Sequence, residues 1–142
     1  MVVLKGPGEI AKMRKAGEIV AEVLAGLEER VRPGVRTAEL DRWAEGWIRR
    51  RGARPAFKGY RGYPAALCTS PNEVVVHGIP GKRVLQEGDI LSVDVGTLIG
   101  GWYGDAARTY AVGDIDAESA RLMRVTREAL AQAIAAARPG NR

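Results

Sequence analysis

Cysteine occurs once in the 142 residues, at Cys68. A lone thiol excludes a disulfide scaffold and suits a reducing compartment, so a cytoplasmic protein is expected. Apolar runs are short. None reaches the ~18–20 residues of a membrane span, and no secretory leader pattern opens the chain, so no membrane partner is expected. Acidic residues are the minority charge, 17 against 22 Lys plus Arg, for a net +5. The densest basic cluster, Arg49-Arg50-Arg51, reads as a solvated helix end whose cations suit the helix dipole. The basic excess could favour loose RNA contact, but no recognition motif for RNA or DNA accompanies it, so no specific nucleic-acid partner is expected. With 46% apolar residues the chain can bury one core.

The apolar pattern supplies three helices. Residues 9–31 carry the stripe Ile10, Met13, Ala16, Val20, Val23, Leu24, Leu27 and Val31, closed by Pro33-Gly34. Thr37 is a candidate N-cap for a second helix with Leu40, Trp43, Trp47 and Ile48 on one side and Gly52 past its end. Strand-like pieces follow over residues 65–112. Asp116 can cap a third helix with Met123, Leu130, Ile134 and Ala137 on one face, ended by Pro139-Gly140. Met13-Arg14 recurs as Met123-Arg124, and Arg32-Pro33-Gly34 recurs as Arg138-Pro139-Gly140, which is a weak internal repeat.

Chemistry concentrates between residues 71 and 113. Residues 90–95 read as a β-branched strand and 102–112 as a weaker one, with Gly100-Gly101 as the turn signal. A hairpin centred on Ile99-Gly100 would set Asp94 directly opposite Asp105. Opposed Cβ atoms lie about 4.5–5.5 Å apart, where like charges are destabilising. A shared proton, an arginine or a cation must then offset the repulsion, and two such carboxylates suit divalent metals. The bland alternative is one solvated aspartate and one incidental turn residue. A one-residue register slip would also put the two on opposite faces.

The residues around this pair carry a resemblance. The run from Asn72-Glu73 to His77-Gly78-Ile79-Pro80 is similar to the signature of type I methionine aminopeptidases. So are Gly88-Asp89-Ile90 to Asp94, Gly104-Asp105 to Arg108-Thr109, and Gly59-Tyr60-Arg61-Gly62-Tyr63-Pro64 to Cys68. Met13-Arg14-Lys15-Ala16-Gly17 resembles that family's first helix. Val76 and Ser92 depart from the pattern, where many relatives carry cysteine and asparagine; neither touches metal on this reading.

The resemblance implies an α/β (α+β) pita-bread fold of two pseudo-symmetric halves, and metal-dependent removal of the initiator methionine. It implies two divalent metal ions, drawn from cobalt, manganese, iron or zinc. Five side chains hold them in that family, and two aspartates of the five match Asp94 and Asp105. The ligand histidine and two glutamates belong to the second half, for which this sequence has no residues. His77, the only histidine, matches a second active-site histidine that contacts substrate near the scissile bond. Tyr60, Tyr63, Cys68 and Phe57 match pocket positions that would receive the methionine side chain. The partner implied is the N-terminal methionine of nascent polypeptides, with ribosome proximity as a corollary. The chain is expected to be an incomplete catalytic domain, inactive alone, with residues 1–113 as the first half and 114–142 as linker and first helix of the second. Alternatives are a catalytically dead binding protein of the same fold and a proline-directed aminopeptidase relative, against which the tyrosine-rich stretch and His-Gly-Ile-Pro argue.

Overall fold

The computed structural model describes residues 3–141. Its elements are α1 (Pro7–Glu28), α2 (Thr37–Arg50), β1 (Arg54–Pro55), a 3-10 turn (Tyr60–Gly62), β2 (Leu67–Pro71), β3 (Ile90–Ile99), β4 (Trp102–Ala111) and α3 (Ala117–Ala136). All strand pairs are antiparallel. β1 and β2 lie end to end along one edge of β3, and β4 pairs along the other.

α1 opens with Pro7 in its first turn, and the Glu9 carboxylate accepts from the Gly6 N–H at 2.8 Å. It buries Ala16, Ile19, Val20, Val23 and Leu27. The expected stripe differs at both ends. Ile10 and Met13 are exposed, because close contact with the sheet begins at Ala16. The helix also stops at Glu28, before Pro33, whose ring disfavours helical backbone at Arg32. Val31 reaches the core from the turn that follows.

Thr37 is not the N-cap of α2. Arg36 holds that place without a side-chain bond. The loop at 81–83 supplies the missing acceptors: Thr37 N–H donates to the Arg83 carbonyl and Ala38 N–H to the Gly81 carbonyl, both at 3.1 Å. Thr37 Oγ1 accepts from the Gly81 N–H at 2.9 Å, so its hydroxyl ties the loop down. Leu40, Ala44 and Ile48 enter the core, and Gly52 follows the helix in the left-handed region as expected.

The hairpin turns on Gly100-Gly101, with φ of 56° and 83°, not on Ile99-Gly100. Positive φ at both central residues matches the right-handed strand twist, and the Gly-Gly pair permits it. The register therefore moves by two: Asp94 pairs with Ala107, and Gly96 pairs with Asp105. The two aspartates are diagonal neighbours on one face. Leu91, Val93, Val95 and Thr97 point from β3 to the helices and are fully buried. Gly104 lets β4 approach α1 closely: a Cβ there would lie 2.6 Å from the Ala16 carbonyl carbon.

Asp116 caps α3 as expected, accepting from the Ser119 N–H at 2.8 Å. The helix forms as expected, but none of its residues is buried, so its apolar face is no part of the core. Leu122, Val125, Leu130 and Ile134 are exposed, and Ala137 lies at the C-cap.

Candidate metal and substrate site

The face of β3 turned away from the helices carries Ser92, Asp94, Gly96 and Leu98. β2 adds Cys68 beside Asp94, and β4 adds Asp105 beside Gly96. Cys68, Asp94 and Asp105 floor an open cavity of about 630 Å³ that is also lined by Phe57, Tyr60, Tyr63 and His77. Every residue singled out for the site in the sequence therefore borders one cavity. Ser92 bonds across the strands to Thr109 at 2.8 Å, so the departure from asparagine is accommodated within the sheet.

Burial is the largest influence on Asp94, and the Asp105 carboxylate beside it adds repulsion. Together they push the Asp94 carboxyl up to about 6, with His77 pulling weakly the other way. Asp94 Oδ1 is buried without a hydrogen-bond partner among the described residues. An orphaned carboxylate oxygen beside a second carboxylate fits an oxygen-seeking divalent cation. Among the described residues no three His, Cys, Asp or Glu side chains gather closely enough to hold an ion, so the donor set present is the aspartate pair.

The walls are apolar. Phe57 seats over Gly96, where a Cβ would come within 2.5 Å of the ring. Cys68 is buried beside Tyr63; burial pushes its thiol up, the neighbouring Tyr63 hydroxyl opposes this, and the nearby carboxylates push further. Tyr60 stands at the rim rather than inside, 65% exposed on the 3-10 turn.

Several residues that build the site were not assigned a role from sequence. Asp89 is 7% exposed and accepts from Asn72 Nδ2 (2.7 Å), the Gln86 N–H (3.0 Å) and Arg83. Asn72 Oδ1 in turn accepts from the Ile90 N–H at 3.0 Å, which ties the His77 loop to the start of β3. Asp41 accepts from the Ala66 and Leu67 N–H groups, both at 2.9 Å, and so anchors β2. Gly78 packs so tightly on β2 that a Cβ would lie 2.1 Å from the Thr69 carbonyl oxygen. The Asn-Glu and Gly-Asp pairs were the available signals, because polar residues next to strand ends are the ones that satisfy loop backbone.

The aspartate pair at the floor of this cavity has the chemistry to attract a divalent cation, and sequence comparison gives the class of the protein. The model for metallopeptidase family M24 matches residues 11–142, and the chain belongs to that family. A methionine aminopeptidase of Clostridium acetobutylicum is 53% identical over 143 residues, spanning 100% of this chain and 57% of that protein. Methionine aminopeptidase 1 of Bacillus subtilis is 46% identical over 142 residues, with the same two coverages. The crystal structure of a methionine aminopeptidase from Thermotoga maritima superposes with a TM-score of 0.92 at 47% identity, covering 94% of this chain and 54% of that one. The fold is thus the pita-bread fold, and the chain spans little more than half the length of these relatives. No helix among the described residues is long and apolar enough to cross a membrane.

Proposed function

We propose that this chain is the first half of a methionine aminopeptidase, a hydrolase that removes the N-terminal methionine from nascent polypeptides. The observation that carries the reading is the Asp94–Asp105 pair, with its orphaned oxygen, at the floor of an apolar cavity bordered by His77. Asp94 and Asp105 would hold divalent metal, drawn from cobalt, manganese, iron or zinc. When bound, metal in such a site lowers the pKa of water and polarises the scissile carbonyl. Phe57, Tyr63 and Cys68 offer the methionine thioether an apolar, polarizable wall, and Tyr60 closes the rim. His77 can donate a hydrogen bond to the substrate from one nitrogen while accepting at the other. Residues 1–113 form the first half on this reading. Residues 114–142 lead into the second, in keeping with a helix α3 of which no residue is fully buried. The cytoplasm, close to ribosomes, is the setting that goes with this substrate.

The test completes the chain with the C-terminal portion of the Clostridium acetobutylicum relative and follows hydrolysis of a Met-Ala-Ser peptide with added metal. Asp94→Asn and Asp105→Asn should each abolish tight metal binding in calorimetry and lower kcat/KM by at least ~100-fold. His77→Ala should lower kcat and leave metal content intact. A metal-loaded completed protein that cleaves leucyl peptides as fast as methionyl ones would sink the proposal.

A further inference from the structure

We propose that the Tyr63 hydroxyl is the positioning group for His77, holding it over the aspartate pair through the Gly78 carbonyl. The inference rests on the reading of His77 as a substrate-contacting residue and gives Tyr63 a second role beside lining the cavity. His77 has φ of 59°, a left-handed conformation uncommon for any residue but glycine, so its neighbours must hold it there. Little on its N-terminal side can do so. Val74, Val75 and Val76 are exposed, Val75 at 84%, and none of them belongs to the buried core. Upstream, the Val74 N–H donates to the Pro71 carbonyl at 3.0 Å and Asn72, itself at φ 49°, bonds the start of β3, so both anchors lie three or more residues from His77.

Gly78 is held at every polar atom. Its carbonyl accepts from the Thr69 N–H at 2.8 Å and lies 3.1 Å from the Tyr63 hydroxyl. Its N–H donates to Ser70 Oγ at 3.1 Å. The single Tyr63 hydroxyl proton is shared between the Gly78 carbonyl and the Leu67 carbonyl, the latter at 2.9 Å, so one group spans β2 and the loop. Tyr63 is in turn fixed at its backbone: its N–H donates to the Tyr60 carbonyl at 2.9 Å and its carbonyl accepts from the Gly59 N–H at 2.8 Å. The sequence of supports runs from the 3-10 turn through the Tyr63 side chain to Gly78, and from there across one peptide bond to His77. Thr69 and Ser70 fix the height of the loop on the strand, whereas Tyr63 bonds it from the cavity side. Removing only the Tyr63 oxygen would keep the apolar wall and release the restraint.

The experiment uses the fact that His77 is the only histidine, so its imidazole gives a single Cε1–H cross-peak. In Tyr63→Phe the His77 ring signal and the Gly78 amide signal should move, while the indole signals of the three tryptophans stay in place. Ser70→Ala, which removes the opposite restraint, should move the same two signals. Tyr103→Phe serves as control, since the Tyr103 hydroxyl makes no hydrogen bond among the described residues and lines no part of the cavity. In the completed enzyme Tyr63→Phe should lower kcat about tenfold with KM within twofold of wild type. Unmoved His77 and Gly78 signals in Tyr63→Phe, or equal movement in Tyr103→Phe, would overturn the proposal. A completed wild type that cleaves no methionyl peptide while these signals do move would instead overturn the functional reading and leave the positioning contact standing.

Discussion

Asp89→Ala removes the acceptor on which the His77 loop is fastened. The carboxylate takes hydrogen bonds from Asn72 Nδ2 at 2.7 Å and the Gln86 N–H at 3.0 Å, and Arg83 Nη2 lies 3.2 Å from it. Arg83 is half exposed and regains water when the partner goes, so it adds little. The Asn72 amide and the Gln86 N–H lose charge-assisted bonds in a poorly hydrated spot. Summing those two gives a loss of about 3 kcal/mol. For a chain of this size that lowers the urea midpoint by roughly 1.5 M at neutral pH, read by tryptophan fluorescence. Asp89→Asn keeps the shape and one acceptor oxygen and should cost only about 1 kcal/mol. Acid supplies an internal check. Burial alone would raise the Asp89 carboxyl, but the Asn72, Gln86 and Arg83 bonds outweigh it and hold it below the ordinary 3.8. A depressed carboxyl contributes its full stability above the unfolded value and loses it as pH falls through the folded one. The gap between wild type and Asp89→Ala must therefore narrow as the pH is taken below about 4. A gap under about 0.5 kcal/mol at neutral pH, or one that stays constant into acid, would refute the argument.

The sign reverses at Asp94. Its carboxyl is raised from 3.8 to about 6, so without metal the wild type loses stability as pH rises through that window. Asp94→Asn removes this loss and should be more stable by about 1 kcal/mol at neutral pH with chelator present, the half-exposed position being allowed for. Thermal melts of both proteins at pH 4 and 7 decide it, and parallel pH profiles would count against the burial argument. At Gly104 an added methyl would meet the Ala16 carbonyl carbon and oxygen at 2.6 and 2.7 Å, backbone that cannot swing aside. Gly104→Ala should therefore cost about 2 kcal/mol by lifting α1 from β4, and an unchanged Tm would show that the helix gives way freely.

Much of this architecture was legible because burial follows a period. The alternation at Leu91, Val93 and Val95 marked β3, and Val20, Val23 and Leu27 marked the inner face of α1. Asp116 was legible as a cap because the backbone N–H it serves is three residues away. Thr37 was misread because its partners, Gly81 and Arg83, are distant in the chain and only folding brings them near. The hairpin register was off by two for a local reason: the turn consists of both glycines rather than Ile99 and Gly100. A shift by two preserves the face, so Asp94 and Asp105 still converge; a shift by one would have separated them. At α3 the periodic pattern was legible, but periodicity says only that a face is apolar, not that this chain supplies anything to cover it.

That uncovered helix also governs how the chain meets a protease. An isolated helix of this length is marginal in water, and the side-chain support of α3 is local: its Asp116 cap, the Arg124–Glu128 pair at 3.5 Å and Asn141 Nδ2 donating to the Ala136 carbonyl at 2.8 Å. Its arginines, Arg121, Arg124 and Arg127, sit where the backbone unwinds without disturbing the sheet. Trypsin should trim it long before it reaches Arg108, whose strand is locked into β3. The digest would leave a resistant body carrying both aspartates, and a partner seated on α3 would reveal itself by the bonds it protects.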